Sequence, residues 1–324
     1  MQRCHGGHCW SPAEFLAGIA RMRWFLAPIP PSMAAVPPMP NPTVITLQVC
    51  FFGALGVFAL VAGVKARVAA RRPTTEAPPV PAGRVPVWPY LKVDLLWMGL
   101  LFLTFYMLSI GSARMAASKV EMPITVNGLL QTILFQVLLA GMTVVVMGWR
   151  IQPVAWLGLR WPGWRWGLLI APVGVAAMWL LSGVLAATGY LTWMKSLGVE
   201  PMQDSVKLLQ NNHDPLTLGL MAVAAMFAAP LCEEIVFRGY LYSAAKKFAG
   251  PWVAGAGSAL VFAAAHNSLA PLLPLFYFGC LLVLAYELTG SLWAPIAMHF
   301  CFNTATVVIQ VLARIYDFPI DPGP

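Results

Sequence analysis

The stretch Pro230-Leu-Cys-Glu233-Glu234-Ile-Val-Phe-Arg238-Gly-Tyr places two carboxylates and a guanidinium directly after the apolar run Leu218–Ala229. An ionised side chain at the centre of a membrane helix costs about 2.5–3.5 kcal/mol on the insertion scale. Charges retained in such a position typically face a protein interior or a water-filled cavity. We therefore take Glu233, Glu234 and Arg238 as the group around which the remaining polar residues are arranged.

The composition predicts an all-α, polytopic membrane helical bundle. The 324 residues are 59% hydrophobic and only 10% charged, and the mean hydropathy is +0.74. Soluble domains carry about 25% charged residues. The net charge of +8 would indicate nucleic-acid binding in a soluble chain, but here the basic residues cluster in loops, as membrane orientation requires. We expect the lipid bilayer, and no nucleic acid, as a partner.

Apolar runs long enough to cross a bilayer predict about eight transmembrane helices. In chain order these runs are Val44–Val64, Val93–Ile110, Val126–Gly148, Gly167–Ala187, Leu216–Phe248, Trp252–His266, Leu272–Tyr286 and Ser291–Ala313. The fifth is too long for a simple span, so one end is expected to protrude or the helix to tilt.

The segments between these runs suggest four regions. Prolines predict a disordered tail over 1–43, where the cluster Cys4-His5-Gly-Gly-His8-Cys9 has metal-ligand residue types without a recognised zinc spacing. Residues 44–164 hold the N-terminal transmembrane helices and a basic, proline-rich loop at 65–92, which we predict to be an extended, solvated linker. Residues 165–313 form the predicted catalytic core, and 314–324 a short tail.

The distribution of basic residues predicts which loops face the cytoplasm. The loops over 65–92, 150–165 and 238–247 are richer in lysine and arginine than the loops on the opposite side. Because positive loops face the cytoplasm, both termini are expected outside. We expect a multi-pass protein of the plasma membrane.

Further polar residues lie at a common depth in other predicted helices. At a rise of about 1.5 Å per residue, Glu234 is about 20 Å from the cytoplasmic end of its helix. His266 is about 22 Å, Asn303 about 18 Å and His299 about 12 Å from the same face. Three helices therefore bring polar groups to similar levels, where they can converge.

Spacing within the helices supports this convergence. Glu234 and Arg238 are separated by four residues, with the acid first, which is the favourable order for an ion pair. Glu233 is rotated about 100° from Glu234, so one carboxylate can face a cavity while the other pairs with Arg238. His299 and Asn303 also share one helix face.

These residue types suit hydrolysis of an amide by water. A carboxylate can take a proton from water and return it to the leaving amine. Imidazoles can bind a metal that activates the water or can carry protons directly. An asparagine amide and an imidazole can stabilise the oxyanion. By contrast, Asp94 and Glu287 lie at helix ends, where we predict capping or solvated roles.

The three motifs in this order resemble the CPBP family, which includes the type II CAAX prenyl endopeptidases and the bacteriocin-processing or self-immunity proteins also called Abi. The motifs are Glu233-Glu234-x-x-x-Arg238, Phe262-x-x-x-His266 and His299-x-x-x-Asn303. The resemblance covers about residues 165–313. It implies an intramembrane endopeptidase acting on a membrane peptide or lipidated protein, such as a prenylated CAAX substrate.

The resemblance also implies roles for single residues. Glu233 would activate water together with His266, and Glu234 with Arg238 would support that carboxylate. His299 and Asn303 would form the oxyanion site. Alternatively Glu233, His266 and His299 would hold a zinc ion, and the sequence leaves the glutamate and metallo mechanisms both open. The rival interpretation is a non-catalytic scaffold, immunity or transport protein that uses the buried charges structurally.

Overall fold

The computed structural model describes residues 41–71, 83–117, 125–199, 212 and 214–316. Every regular element within these ranges is helical. The main helices are α1 Pro42–Arg71, α2 Asp94–Ala117, α3 Val126–Gly148, α4 Pro153–Trp156, α5 Gly167–Ala187, α6 Tyr190–Ser196, α7 Pro215–Ala249, α8 Pro251–Ala264, α9 Leu272–Thr289 and α10 Trp293–Ile315. The predicted tail at 1–43 falls, up to residue 40, outside the described residues, as does most of 314–324.

Seven of the described helices are long and apolar enough to cross a membrane: α1, α2, α3, α5, α7, α9 and α10. Their outward faces are apolar, with Leu60 67%, Leu180 71% and Leu96 73% exposed. Such surfaces are stable only in lipid. The chain is therefore an integral, multi-pass membrane protein, as its composition predicted.

The predicted eighth span, Trp252–His266, is shorter than expected. Helix α8 contains 14 residues, which is about 21 Å of helix against a hydrocarbon core of about 30 Å. The helix ends at Ala264, and His266 lies in the turn that follows. Non-helical backbone at membrane depth is tolerated only where it is buried in protein or lines a wet cavity. This early end places His266 and Asn267 outside the regular helix, in the turn that follows α8.

Helix α7 is the central element and departs from regular α geometry. It packs against α3, α8, α9 and α10. Its hydrogen bonding changes to π-helical pairing over Ala224–Ala228 and again over Ile235–Tyr242. The second π segment is buried from Val236 to Tyr242, including Arg238. Because π-helical turns are rare and are concentrated at functional sites, they single out the part of α7 that carries the charges.

The prediction of an extended, solvated linker over 65–92 is contradicted in two ways, because 65–71 is exposed but helical and 83–92 packs onto the core. Helix α1 continues through Arg71, because Lys65–Arg71 contains good helix formers and no proline. Farther on, the segment 83–93 packs onto the core, and Val85 and Tyr90 are only 2% and 1% exposed. Basic and proline-rich composition did not reveal these two buried side chains.

The capping predictions for the two helix-end carboxylates have different outcomes. Asp94 begins α2, accepts a hydrogen bond from the Leu91 N–H at 2.6 Å and pairs with Arg150. Glu287 was predicted to be solvated or a cap, and this is wrong. Its side chain is 15% exposed and accepts hydrogen bonds from Lys246 at 2.5 Å and from the Tyr242 hydroxyl. The folded-back segment 83–93 covers Glu287, which its position near a helix end does not indicate.

Candidate active site

A cavity of about 530 Å³ lies between α2, α3, α7 and the turn after α8. Its volume is in the range of small-molecule and peptide-binding pockets. Glu233 and His266 both line it, together with Cys232, Val236 and Phe237 of α7 and residues of α2 and α3. Two of the predicted site residues therefore face one cavity, within the part of the chain that the structure describes.

Glu233 offers an acceptor atom to this cavity. Its Oε2 atom is buried and has no hydrogen-bond partner in the protein. An unpaired buried carboxylate oxygen is costly unless water or a ligand satisfies it. A cavity beside the atom provides the room that such a water needs.

His266 is held by the helix that it follows. Its Nδ1 lies 2.8 Å from the Phe262 carbonyl oxygen. Because a carbonyl only accepts, Nδ1 carries the proton, which leaves Nε2 as the acceptor nitrogen of the neutral ring. The ring also contacts Phe262 edge to face, with the centroids 4.9 Å apart. The predicted spacing of four residues between Phe262 and His266 thus fixes the tautomer.

Glu234 lies in a separate, fully buried network. Its Oε1 accepts hydrogen bonds from Arg238 Nη1 at 3.0 Å and from His299 Nδ1 at 2.9 Å. Glu234 and Arg238 are both 0% exposed, and His299 is 4% exposed. The ion pair forms as its spacing predicted, and the two adjacent glutamates face different surroundings.

Arg238 connects this network to the neighbouring helices. Its Nη2 donates to the Gly279 carbonyl of α9 at 3.2 Å. Its guanidinium lies 4.4 Å from the centre of the Phe262 ring on α8, a cation–π contact. Since Phe262 also holds His266, Arg238 links the Glu234 network to the cavity without lining it.

His299 and Asn303 share a helix face, as predicted, but that face contacts α7 and not the cavity. His299 bonds to Glu234 and packs between the rings of Phe262 and Phe278. Asn303 Nδ2 donates to the Ala225 carbonyl at 2.7 Å. Neither residue is among those that line the cavity. In this structure the two side chains therefore face α7, apart from the cavity that Glu233 and His266 line.

Asn303 satisfies a carbonyl that the irregular helix leaves free. In the first π segment the Ala229 N–H donates to the Ala224 carbonyl. The next donor in this register would be Pro230, for the Ala225 carbonyl, but proline has no N–H. The Asn303 amide takes that place. The contact between Asn303 and Ala225 depends on the π register of α7, which the sequence does not reveal.

The zinc site that the family resemblance implies as an alternative requires three converging ligands. Among the described residues, no three histidine, cysteine, aspartate or glutamate side chains come together as metal ligands. His299 points its Nδ1 at Glu234, while Glu233 and His266 line the cavity. The arrangement does not fit a zinc ion held by Glu233, His266 and His299.

Two cavity-lining residues were missed in the sequence. Gln136 of α3 and Asn267 both face the cavity, and each has a buried side-chain oxygen without a hydrogen-bond partner. Gln136 is a polar residue within an apolar span, which is a usable signal. Asn267 adjoins His266, but its importance depends on the early end of α8.

Comparison with known proteins adds to this geometry. Residues 215–305 match the family model of the Rce1-like type II CAAX prenyl endopeptidases. A curated relative, "Putative membrane peptidase YdiL" of Bacillus subtilis strain 168, is 30% identical over 92 residues. That match covers 28% of this chain and 38% of the relative, so the chain spans well under two thirds of the relative's length. No solved structure gives a significant match.

The matched residues run from the start of α7 into α10. They contain Glu233, Glu234 and Arg238, both motif histidines and Asn303. The buried ion-pair network thus lies within the matched segment, whereas the cavity is lined both by that segment and by α2 and α3, which precede it. Over residues 215–305 the chain is therefore similar to the Rce1-like, type II CAAX prenyl endopeptidases, in agreement with the CPBP resemblance of its motifs.

Proposed function

We propose that the protein is an intramembrane endopeptidase that hydrolyses a peptide bond with water activated by Glu233. The observation that carries this proposal is the shared cavity, in which the unpaired Glu233 Oε2 and the His266 ring lie together. The substrate is a membrane-embedded peptide or lipidated protein, and a prenylated CAAX protein is one such substrate. The bilayer of action is the plasma membrane.

In the proposed reaction, Glu233 takes a proton from a water molecule in the cavity as that water attacks the substrate carbonyl. His266 Nε2 accepts a hydrogen bond from the same water and orients it. Glu233 then returns the proton to the nitrogen of the leaving amine, so the carboxylate is regenerated. An apolar surround strengthens these interactions, since fewer waters compete for the developing charge.

Glu234, Arg238 and His299 act as positioning residues in this scheme. Their network fixes the α7 turn that carries Glu233, and Arg238 also contacts Phe262, the residue that orients His266. Asn303 supports the backbone of α7 through Ala225. The oxyanion role implied by the family resemblance is not required of His299 or Asn303 here.

The test uses the full-length protein in lipid nanodiscs, with a farnesylated CAAX peptide and a set of unmodified apolar peptides as probes. Products are identified by mass spectrometry. General acid–base catalysis contributes about 10²–10⁴-fold, so Glu233→Gln and His266→Ala should each lose at least about a hundredfold in rate. Asp214→Asn is the matched control, because Asp214 caps the start of α7 far along the helix from Glu233.

Cleavage by both variants at the wild-type rate would refute the proposal. Chelator treatment followed by zinc addition separates the two subtypes. Retained activity after chelation supports the glutamate mechanism. Loss that zinc restores would show a metal mechanism and a ligand arrangement different from the one described here.

A further inference from the structure

Three buried oxygen atoms without hydrogen-bond partners line the same cavity. They are Gln136 Oε1, Glu233 Oε2 and Asn267 Oδ1. Buried polar atoms in proteins are nearly always paired, so three unpaired acceptors around one space indicate a ligand with hydrogen-bond donors. Glu233 has a place in the proposed reaction, and the two carboxamides do not.

The two carboxamides reach the cavity from different directions. Gln136 lies on α3, outside the matched segment 215–305, whereas Asn267 follows α8 and adjoins His266. The cavity is therefore completed by a helix from the N-terminal half of the chain. A group bound between α3 and the turn after α8 would lie beside both Glu233 and His266.

A peptide backbone is the ligand whose chemistry fits a pair of carboxamides. Within a bilayer every backbone N–H and C=O must be satisfied, which is why spanning segments are helical. A peptide bond open to attack by water must leave its helix, and this frees the N–H and C=O groups on either side. A carboxamide offers one acceptor oxygen and two N–H donors, so it can pair with both kinds of freed group.

We propose that Gln136 and Asn267 bind the unwound main chain of the substrate on either side of the bond to be cleaved. This inference rests on the proposed function. It adds a substrate-binding role in which the enzyme recognises main-chain groups of the substrate and not its side chains. It explains why both oxygens are buried and unpaired in the protein alone. It also assigns a function to α3, which the matched segment lacks.

Asn267 also permits a clear separation of structural from functional roles. Its φ is +60°, in the left-handed region, and it follows the helix end at Ala264. Asparagine and glycine are the residues that tolerate this conformation best. If Asn267 only ends the helix, Asn267→Gly preserves its role. If its carboxamide binds substrate, the same change removes that interaction.

The experiment measures steady-state kinetics of the full-length protein in nanodiscs. Its probe is the peptide that the wild type cleaves faster, either the farnesylated CAAX peptide or the best unmodified apolar peptide. Gln136→Met keeps the side-chain length and removes the amide. Losing one hydrogen bond corresponds to about tenfold, so Gln136→Met and Asn267→Gly should each raise KM about tenfold and change kcat by less than about twofold. Gln48→Met is the matched control, since Gln48 bonds to Tyr106 outside the cavity.

Ester-substituted peptides locate the contact directly. Once the cleavage site is mapped, each flanking N–H is replaced in turn by an ester oxygen, which removes one donor. At one position the ester should reduce kcat/KM of the wild type about tenfold. The same ester should reduce kcat/KM of Gln136→Met less than about twofold, because that variant has already lost the acceptor. Equal ester costs in both proteins at every position would overturn the Gln136 assignment, and wild-type KM in Asn267→Gly would overturn that of Asn267.

Failure of this inference differs from failure of the proposed function. If the wild type cleaves no probe, or if Glu233→Gln cleaves as fast as the wild type, the endopeptidase proposal fails and this inference fails with it. If cleavage depends on Glu233 while both carboxamide variants match the Gln48→Met control, only the substrate-binding role is refuted. Thermal unfolding checks each variant, and Gln136→Leu replaces Gln136→Met if the latter does not fold.

Discussion

Two adjacent glutamates differ in that only Glu234 is paired with Arg238, and this difference can be tested through stability. Glu234 neutralises Arg238 in a site where both are 0% exposed. Glu233 instead lines the cavity, where its buried Oε2 has no hydrogen-bond partner, whereas the second oxygen of Glu234, also unpaired, belongs to a residue that does not line the cavity. Removing one member of a buried ion pair leaves an uncompensated charge, whereas removing an unpaired carboxylate relieves a desolvation cost.

We therefore expect opposite effects of the two neutral substitutions. Glu234→Gln should destabilise the protein by about 3–5 kcal/mol, because Arg238 loses its counter-charge. Glu233→Gln should leave the melting temperature unchanged or raise it. Thermal unfolding in detergent measures both, and Glu234→Gln with Arg238→Met should recover much of the loss. Equal melting temperatures for the two single variants would contradict the assignment of the ion pair.

The N-cap of α7 predicts a pH effect outside the membrane. The Thr217 hydroxyl and backbone N–H both donate to Asp214 Oδ2, at 2.5 and 2.9 Å, and they hold the pKa of Asp214 below its usual value. A lowered pKa in the folded state contributes stability above the unfolded pKa of about 3.9. That contribution is lost as the pH falls through the folded pKa.

Asp214→Asn keeps a capping oxygen without the charge. The difference in melting temperature between the wild type and Asp214→Asn should favour the wild type at pH 6 and shrink steadily below about pH 4. Unfolding scans across this range measure the difference. A difference that stays constant with pH would show that the ionised carboxylate adds nothing to the cap.

Among single residues, the sequence predicted best those whose role follows from helix spacing. The Glu234–Arg238 pair and the contact between Phe262 and His266 depend only on a separation of four residues, and both form. The partner of Asn303 was not predictable in this way. It depends on a local change from α to π pairing, whose small energy difference is decided by tertiary packing.

At the scale of the element, the π pairing in α7 and the missing N–H of Pro230 leave the Ala225 carbonyl without a backbone donor. Asn303 supplies the donor instead. In the wild type, Asn303→Ala should leave the Ala225 carbonyl unpaired, at a cost of about 1–3 kcal/mol. In a Pro230→Ala background the new N–H can bond to that carbonyl, so Asn303→Ala should cost much less. A double-mutant cycle on unfolding free energies measures this coupling, expected at about 1 kcal/mol or more.

The same cycle separates support of α7 from a direct role in catalysis. If Asn303 acts through Ala225, Pro230→Ala should also restore part of the activity lost in Asn303→Ala. If Asn303 stabilises the oxyanion, activity stays low in both backgrounds. If the unfolding free-energy changes of Asn303→Ala and Pro230→Ala add within about 0.5 kcal/mol in the double variant, the coupling is refuted.

The positions of the membrane-spanning helices were predictable from the sequence, but the end of α8 was not. Hydropathy located all of the described spans, because lipid imposes long apolar runs. The end of α8 at Ala264 was not predicted, since the apolar run continues to Ala265 and carries no proline or glycine at that point. That early end decides which residues line the cavity, and so Gln136 and Asn267 were recognised only from the structure.

At the scale of the whole molecule, the segment 83–93 connects the N-terminal helices to the matched core. The Arg84 and Val85 N–H groups donate to Glu287, at 3.1 Å to its carbonyl and 3.4 Å to Oε2. Lys246 donates to the Val85 carbonyl at 2.8 Å as well as to Glu287. One partly buried carboxylate of α9 thus organises the backbone of a segment that is distant in sequence.

A second set of contacts holds the far end of the same segment. Lys247 donates to the Tyr90 carbonyl at 2.5 Å, and Trp156 Nε1 donates to the Tyr90 hydroxyl at 2.7 Å. Burial raises the pKa of Tyr90 well above its ordinary value, so this hydroxyl stays protonated. Trp156 is itself only 1% exposed and belongs to the hydrophobic core.

These contacts predict that Glu287 controls local opening of the segment 83–93. Glu287→Gln removes the charge opposite Lys246 and weakens the acceptor of the Val85 N–H, so the segment should open more often while the transmembrane helices stay folded. Arg84 is exposed and provides a trypsin site within the segment. In nanodiscs, cleavage after Arg84 should be about tenfold faster in Glu287→Gln, because proteolysis follows the population of the open form.

Arg160 supplies the internal reference for this experiment, since it is exposed in a different connector and has no part in these contacts. Its cleavage rate should be the same in both proteins. Equal acceleration at Arg84 and Arg160 would show general destabilisation, and no acceleration at Arg84 would show that Glu287 does not hold the segment. Because α3 completes the proposed substrate cavity from the N-terminal half, opening of this connection should also raise KM for the probe peptide while leaving the Glu234–Arg238 pair intact.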